Sequence, residues 1–286
     1  MKRIRASETD PEVFHRYMTG SFAPRPIVLM STISTAGKFC LKPSNYYLLM
    51  GIDPPMVVFS PTPGAVLDET LQNLREVPEV VINLVDVSMV NQTSLASLPT
   101  DHDSDGFKKA GFTPAASELI RPPRVEESLV QLECRVLEIR TFSAVSLIAA
   151  EILLAHISEK ILDNRGRIDS RKTRWALHFE EEFATGLQQY AKRSVARTAI
   201  GVDSLPLSVR RSAILSGNDL GILGSLPALP SETEIRRYAC NEVVVSMRNQ
   251  TNGVCENFNE LLHIRVKELL NEGKVEEALL AALQSH

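Results

Sequence analysis

Between residues 27 and 157 the chain carries six apolar runs of strand length, each bounded by turn residues. The run 80–85 (VVINLV) is continuously apolar except at Asn83. The run 130–139 (VQLECRVLEI) alternates with a period of two, which puts Val130, Leu132, Cys134 and Val136 on one face of a half-buried strand. Shorter runs lie at 27–33 (IVLMSTI), 39–41 and 56–60 (MVVFS), and a long one at 144–156. Ser34-Thr35-Ala36-Gly37-Lys38 reads as the turn between the first two, and Asp53-Pro54-Pro55 as the turn before the third. Many short strands joined by Gly/Pro turns argue for a barrel or sandwich and against an alternating βαβ sheet.

Helical spacing enters this half at 69–75 (ETLQNLR) and at 105–110 (DGFKKA), which Gly111 should stop. Beyond about Trp175 the pattern changes. Residues 179–197 are charged and helix-like, and 217–230 is loop-like, punctuated by Gly221, Gly224, Pro227 and Pro230. Ser231-Glu232-Thr233-Glu234 has the form of a capping box. Leu261, Leu262, Ile264, Val266, Leu269 and Leu270 precede the stop signal Asn271-Glu272-Gly273, and helical spacing resumes over 274–283. A helical hairpin is expected there. The fold class expected is mainly β with helices (α+β), with a barrel over 1–196. A helical and loop extension over 197–286 should pack on the barrel or on a dimer. A chain of 286 residues can bury a core without disulfide staples.

Several function classes are disfavoured. The net charge is −4 and no long basic run occurs, so a nucleic-acid partner is not expected. The opening MKRIRASETDPEVF is not followed by an apolar stretch, and no segment reaches the roughly 18 apolar residues of a membrane span. A cytoplasmic protein is expected. Cys40, Cys134, Cys240 and Cys255 lie far apart, with no CxxC and no zinc-ligand spacing, so free thiols and no metal are expected. Asn91-Gln92-Thr93 and Asn249-Gln250-Thr251 match a glycosylation pattern by chance. Neither a Rossmann fingerprint nor a phosphate-binding P-loop is present. None of the six histidines pairs with a nucleophile in a triad pattern, and no catalytic residue is nominated.

Three places carry polar groups suited to a ligand. The segment 24–47 offers the hydroxyls of Ser31, Thr32 and Ser44, the amide of Asn45, and the flat, polar-tipped rings of Tyr46 and Tyr47. A flat heteroaromatic ring with polar edges would suit that mixture, and so would a plain strand with a polar turn. Thr70 lies near a helix start, where backbone N–H groups and the helix dipole favour an anion. An ordinary capped helix has the same appearance. Asn83 stands inside an apolar strand and needs partners, from a ligand edge or from neighbouring backbone.

In chain order, these segments resemble the flavin reductase-like, FMN-binding split-barrel family of flavoredoxin type. Arg25-Pro26-Ile27 with Ser31-Thr32 looks like the family's opening strand, and 41–47 (LKPSNYY) like its N-x-A-P-x-S-x-F turn. Nine residues separate Pro43 from Asp53-Pro54-Pro55, a similar spacing, and Phe59-Ser60 follows. Glu69-Thr70 with Asn73 resembles D-T-x-x-N, and 81–85 (VINLV) resembles V-V-N-L-V. Downstream, 107–114 (FKKAGFTP), 121–125 (RPPRV) and 132–134 (LEC) match F-x-K-A-G-L-T and P-P-R-V…L-E-C, and Asp163 with 167–169 (RID) resembles D-G-R-I-D. The resemblance covers roughly residues 10 to 190.

The resemblance implies an FMN site, with FAD as the alternative, and NADH or NADPH as electron donor. It implies Arg25, Ser31, Thr32, Ser44, Asn45, Tyr46, Ser60, Thr70, Asn73 and Asn83 as cofactor contacts, with Thr70 and Asn73 toward the phosphate. It further implies a homodimer with each flavin site near the interface. The chain departs from the family at Asp68, where a Lys is usual. Arg25, Lys38 and Lys42 are then the candidates for the compensating charge. Cys40 replaces an Asn and Lys42 a small Ala, while 177–183 (LHFEEEF) replaces a late G-R-L-G-G-x-Y element, with His178 in the place of its Arg. The activity implied is hydride transfer from NAD(P)H to flavin. The alternative is a non-catalytic FMN-binding electron-transfer or interaction protein whose extension docks a partner.

Overall fold

The computed structural model describes residues 1–22, 25–61, 69–98, 105–143, 145–179, 182–185, 188–190, 199–251 and 254–285. A first helix, α1 (Pro11–Ser21), is capped by Asp10, whose side chain accepts from the N–H groups of Glu12 and Val13, with proline at its start. It buries none of its residues.

Seven antiparallel strands then build the main sheet. They are β2 (Val28–Ile33), β3 (Phe39–Ser44), β4 (Tyr47–Met50), β5 (Met56–Phe59), β6 (Glu79–Leu84), β9 (Val130–Phe142) and β10 (Val145–Ile157), in the order β3-β2-β6-β9-β10-β5-β4. Two residues, β1 (Arg25–Pro26), precede β2 and pair with β11 (Leu177–Phe179) in a second sheet that continues through β12 (Glu182–Thr185) and β13 (Gln188–Tyr190). A small ribbon, β7 (Pro114–Ala115) with β8 (Arg124–Val125), lies before β9.

Alternation along the strands sorts the side chains. Val28 and Met30 of β2, Val57 and Phe59 of β5, Ile82 of β6, Cys134 of β9, and Ile148 and Ala150 of β10 form one buried cluster. Leu74, from α2 (Glu69–Glu76), joins it. Five strands converge on this inner face, as a curled half-barrel requires. The intervening residues point outward. Ile27, Leu29 and Leu41 pack on the outer face with Leu95 and Ala96 of α3 (Val90–Ala96) and Phe107 and Ala110 of α4 (Gly106–Ala110). Gly111 ends α4 at φ 73°, the left-handed stop that the sequence indicates.

The C-terminal region completes that outer cluster. It comprises α5 (Leu207–Arg210), α6 (Gly217–Gly224), α7 (Glu232–Ala239), α8 (Glu242–Gln250), α9 (Cys255–Asn271) and α10 (Val275–Ala282). Val209, Leu220, Leu223, Val266, Leu269 and Leu279 share one core with Leu29 and Leu41 of the sheet. The closest contact is α6 on α3. A Cβ on Gly221 would meet Gln92 N at 2.7 Å and Asn91 C at 2.8 Å, and one on Gly217 would overlap the Gln92 amide. Asn218 fastens the seam, accepting from Asn91 N at 2.9 Å and donating to Val87 O at 2.9 Å.

The barrel-plus-helices architecture follows the sequence expectation, including the α9–α10 hairpin with its stop at Gly273 (φ 78°) and the Ser231/Glu234 capping box. Two expectations are corrected. Residues 217–224 are the helix α6 and not a loop, because its glycines serve as a close-packing surface and Ser216 with Asp219 forms a second capping box. The stretch from residue 179, expected to be helical, carries strands at 177–179, 182–185 and 188–190, since pairing with β1 supplies ladder bonds that local charge pattern does not foretell. Residues 191–197 lie outside the described residues.

Candidate functional site

The candidate residues fall along β3 and its neighbours. Where β2 and β3 run side by side, Thr32 pairs with Cys40 and Ser31 with Leu41. Consecutive strand residues face opposite ways, so Ser31 and Thr32 are on different faces of the sheet. Thr32 is fully buried on the inner side, where its Oγ1 accepts from Asn73 Nδ2 at 3.0 Å. Cys40 lies beside it, with Sγ 3.8 Å from Thr70 Oγ1. Burial, and secondarily Glu69, push the Cys40 thiol up to about 12, so it remains a protonated thiol. Thr70 and Asn73 stand in the first turns of α2, both buried. Thr32, Cys40, Thr70 and Asn73 therefore form one polar group at the start of α2. Asp68, the departure from the family pattern, lies outside the described residues.

The second group is at the other end of β3. Ser44 Oγ donates to Ser60 O at 3.1 Å and accepts from Tyr46 N at 3.2 Å, while Ser60 N donates to Tyr46 O at 2.9 Å. These bonds fix the backbone of Tyr46 between β3 and β4. Asn45 is half-buried at the same corner. The Arg25 guanidinium stacks 5.0 Å from the centre of the Tyr46 ring, and the Tyr46 hydroxyl lies 3.3 Å from His15 Nε2 of α1. Ser44 lies four strand steps beyond Cys40, about 13 Å at the usual strand rise.

Of the three cations weighed as compensating charge, Lys38 pairs with Glu69 at 3.2 Å and Lys42 donates to Leu98 O at 2.9 Å. Arg25 is at the Tyr46 end. Asn83 is fully buried, and its amide is bonded to backbone: it donates to Leu29 O (3.1 Å) and accepts from Val125 N (2.9 Å). The need for partners is visible in the sequence, and the chain itself meets it.

The residues of the P-P-R-V and L-E-C signatures form a polar clamp. Glu133 is fully buried and accepts from Glu118 N at 2.9 Å, Leu119 N at 2.8 Å and His156 Nε2 at 2.7 Å. Burial alone would raise its pKa, but these bonds more than offset that, and the carboxyl sits below its ordinary value. Arg124 reaches Gln131 Oε1 at 2.7 Å and Ala116 O at 2.8 Å. The clamp pins the loop before β9 to the sheet.

Two fully or largely buried polar atoms of the candidate set have no partner among the described residues: Ser31 Oγ and Arg25 Nε. Buried polar atoms are seldom left so, and a missing ligand is one ordinary cause. His15 was not among the sequence candidates. The Asp10-Pro11 helix start puts it on α1, and only the fold brings it to Tyr46.

Residues 19–183 match the flavin reductase like domain. An uncharacterized protein of Aquifex aeolicus is 27% identical over 169 residues, spanning 58% of this chain and 86% of its own length. Among solved structures, nitrilotriacetate monooxygenase component B from Bacillus cereus aligns with a TM-score of 0.59 at 22% identity, over 66% of this chain and 94% of that one. An FMN-binding protein from Thermus thermophilus aligns with a TM-score of 0.53 at 16% identity, over 68% and 99%. Those likenesses establish the split-barrel fold, and residues 184–286 lie beyond the matched domain. The chain belongs to the flavin reductase like domain family.

Proposed function

We propose that this protein binds FMN along β3 and reduces it with NADH or NADPH. The observation that carries the reading is the placement of two polar groups at the two ends of one strand. The Ser44–Tyr46–Ser60 corner supplies a flat ring and fixed polar groups for the isoalloxazine. The Thr32–Thr70–Asn73 group, at the start of α2, suits the phosphate, because backbone N–H groups and the helix dipole favour an anion there. The ribityl chain can bridge the interval between them. The unpartnered Arg25 Nε at the Tyr46 corner fits a site that a ligand completes.

When bound, the flavin supplies the redox chemistry by accepting a hydride from the nicotinamide, and the protein supplies placement. Tyr46 is held rigidly by Ser44 and Ser60, so the surface against which a ring would lie is set in advance. Cys40, held as a thiol, adds no charge beside the phosphate end. Family membership supports a flavin as the cofactor. The reductase reading is favoured over a partner-docking role because Val209, Leu220, Leu223, Val266, Leu269 and Leu279 of the extension are packed into the chain's own core, although Val243, Val245 and Val254 stay exposed.

A homodimer is part of the proposal. Leu48 and Leu49 of β4 are 63% and 66% exposed, and Ile52 beyond it is 95% exposed. An unpaired apolar edge of this kind calls for a cover, and a second copy is the cover proposed. The expected setting is the cytoplasm, in keeping with four free cysteines and no helix long and apolar enough to cross a membrane among the described residues.

The test is reconstitution with FMN, followed by absorbance and by NADH and NADPH oxidation. The double variant Thr70→Ala/Asn73→Ala should weaken FMN binding about tenfold or more, as loss of two polar contacts implies. A colourless protein that takes up neither FMN nor FAD would overturn the reading.

A further inference from the structure

The polar group assigned to the phosphate lies next to the turn between β2 and β3. Along this edge of the sheet come first the turn, residues 34–38, then Cys40, Lys42 and Ser44 on one face of β3, then Tyr46. The turn is closed on itself. Ser34 N donates to Lys38 O at 2.9 Å, Gly37 N to Ser34 O at 3.0 Å, and Lys38 N to Ser34 Oγ at 3.1 Å. It is also tied to α2 at two points: Lys38 Nζ pairs with Glu69 Oε1 at 3.2 Å, and Thr35 Oγ1 donates to Glu76 Oε2 at 3.2 Å. Glu69 and Glu76 are the first and last residues of α2, so the turn is laced along the whole helix.

Part-exposed ties of this kind add little to stability. Their position gives them a second consequence. FMN and FAD share the ring, the ribityl chain and the first phosphate, and FAD continues through a second phosphate to adenosine. With the ring at Tyr46 and the first phosphate by Thr70, a ligand that continues along β3 runs into the turn. There it meets the Lys38–Glu69 bridge, which spans from the turn to the start of α2. Beyond the bridge stands Glu76. Its partners are neutral donors, the Thr35 hydroxyl and Gln72 Nε2 at 3.3 Å, and no cation pairs with it among the described residues. Its carboxylate keeps its charge and repels a second phosphate.

We propose that the Lys38–Glu69 and Thr35–Glu76 ties make the site selective for FMN over FAD. The proposal rests on the FMN reading and deepens it by naming the residues that choose between the two flavins. Specificity is a difference of affinities, and an obstacle to the competitor serves as well as a new contact to the preferred ligand. The laced turn is the obstacle to the adenylate half of FAD, and Glu76 adds like-charge repulsion. FMN ends before it reaches either. Lys38 is held by Glu69 in this arrangement, so its charge is balanced before a second phosphate arrives.

The test titrates the flavin-free full chain with FMN, FAD and riboflavin by calorimetry. The parent should bind FMN about tenfold or more tightly than FAD. The double variant Thr35→Ala/Glu69→Ala removes both ties and leaves Lys38 free to meet a second phosphate. Its FAD affinity should rise about tenfold, the scale of one charge interaction near a protein surface, while FMN affinity stays within about threefold. Glu76→Gln keeps an acceptor for Thr35 and removes only the charge, and should raise FAD affinity about threefold. Riboflavin, which has no phosphate, should bind parent and variants alike. A parent that binds FMN and FAD equally overturns the selectivity and leaves the FMN reading standing. An FMN-to-FAD ratio unchanged in a folded double variant overturns it too, as does a change that riboflavin shares. If circular dichroism shows the double variant unfolded, Glu76→Gln decides, and a ratio equal to the parent's is the overturning result. If the parent takes up no flavin at all, the FMN reading fails first and the selectivity with it.

Discussion

The two halves of the main sheet face different surroundings. On the β3-β2-β6 half, Leu29 and Leu41 point outward into a core completed by α3, α4 and the C-terminal helices. On the β10-β5-β4 half, Leu48, Val58 and Ala149 share the outward direction by register, and this face is left more open among the described residues: Leu48 is 63% and Leu147 42% exposed. Both halves have the same strand chemistry. The difference is that the chain carries its own cover for one and not for the other. Residues beyond the family domain, together with α3 and α4 within it, thus seal the half next to the candidate site, while the opposite half is left more exposed. Fully burying one leucine is worth about 1.5–3 kcal/mol, so leaving several exposed is a sizeable unrealised stabilisation.

The sharpest way to break the covered half is at the α3–α6 seam. Gly221→Val places a side chain where the Gln92 and Asn91 backbones already stand, and backbone cannot move aside as a flexible side chain would. Thermal unfolding should show a loss of about 3 kcal/mol, at the upper end of overpacking costs. A variant as stable as the parent would mean that the extension is not held on the barrel through α6.

At the boundary between the halves, on β9, Glu133→Gln removes a buried carboxylate that accepts three hydrogen bonds. The expected loss is about 2 kcal/mol at neutral pH. The folded pKa of Glu133 lies below its unfolded value, so its contribution is present above the unfolded value and disappears as pH falls through the folded one. Acid unfolding should therefore be shallower in the variant. Equal steepness would show that other carboxyls govern the acid limb.

The bare half gives a smaller expected effect in the opposite sense. Leu48→Lys should leave the stability of the single chain within about 0.5 kcal/mol, as surface changes do. It should weaken self-association about tenfold or more, read by sedimentation equilibrium, because a buried unpaired charge opposes the contact. Unaltered association would place the dimer contact elsewhere.

How legible this was in the sequence varied with the physics involved. The runs at 80–85 and 130–139 became β6 and β9 because apolar period and length specify a strand without reference to distant residues. The polar alternates of β9 were less legible. Gln131 and Glu133 looked solvent-facing, but both are buried, held by a loop that folds back over them. Leu48–Met50 carried no strand expectation, since the strand character of β4 comes from pairing with β5 and not from its neighbours in sequence. The helix α3 was hidden by Asn91, Gln92, Thr93 and Ser94, polar residues whose burial against α4 and α6 only tertiary contact reveals. At the site, residue types were readable and facing was only partly so: adjacent Ser31 and Thr32 formed a natural pair in sequence, and the sheet sends them to opposite faces.

A pH-dependent effect concerns His263, inside the helices that cover the sealed half. It is 5% exposed on α9, and its Nε2 has no partner among the described residues. Burial lowers its pKa from the ordinary histidine value, so the neutral ring is the form that folds. The unfolded chain takes up the proton first as pH falls. Stability should accordingly decline from about pH 6.5 downward, with a slope of at most about 1.4 kcal/mol per pH unit for one proton, until the folded pKa is reached. In His263→Leu that portion of the slope should vanish while the Glu133-dependent acid limb persists. Unfolding measured between pH 7 and pH 5 in parent and variant separates the two. If the curves stay parallel across that interval, the sealed half does not rely on a neutral His263, and the cover on the sheet would be no more pH-sensitive than the bare face opposite.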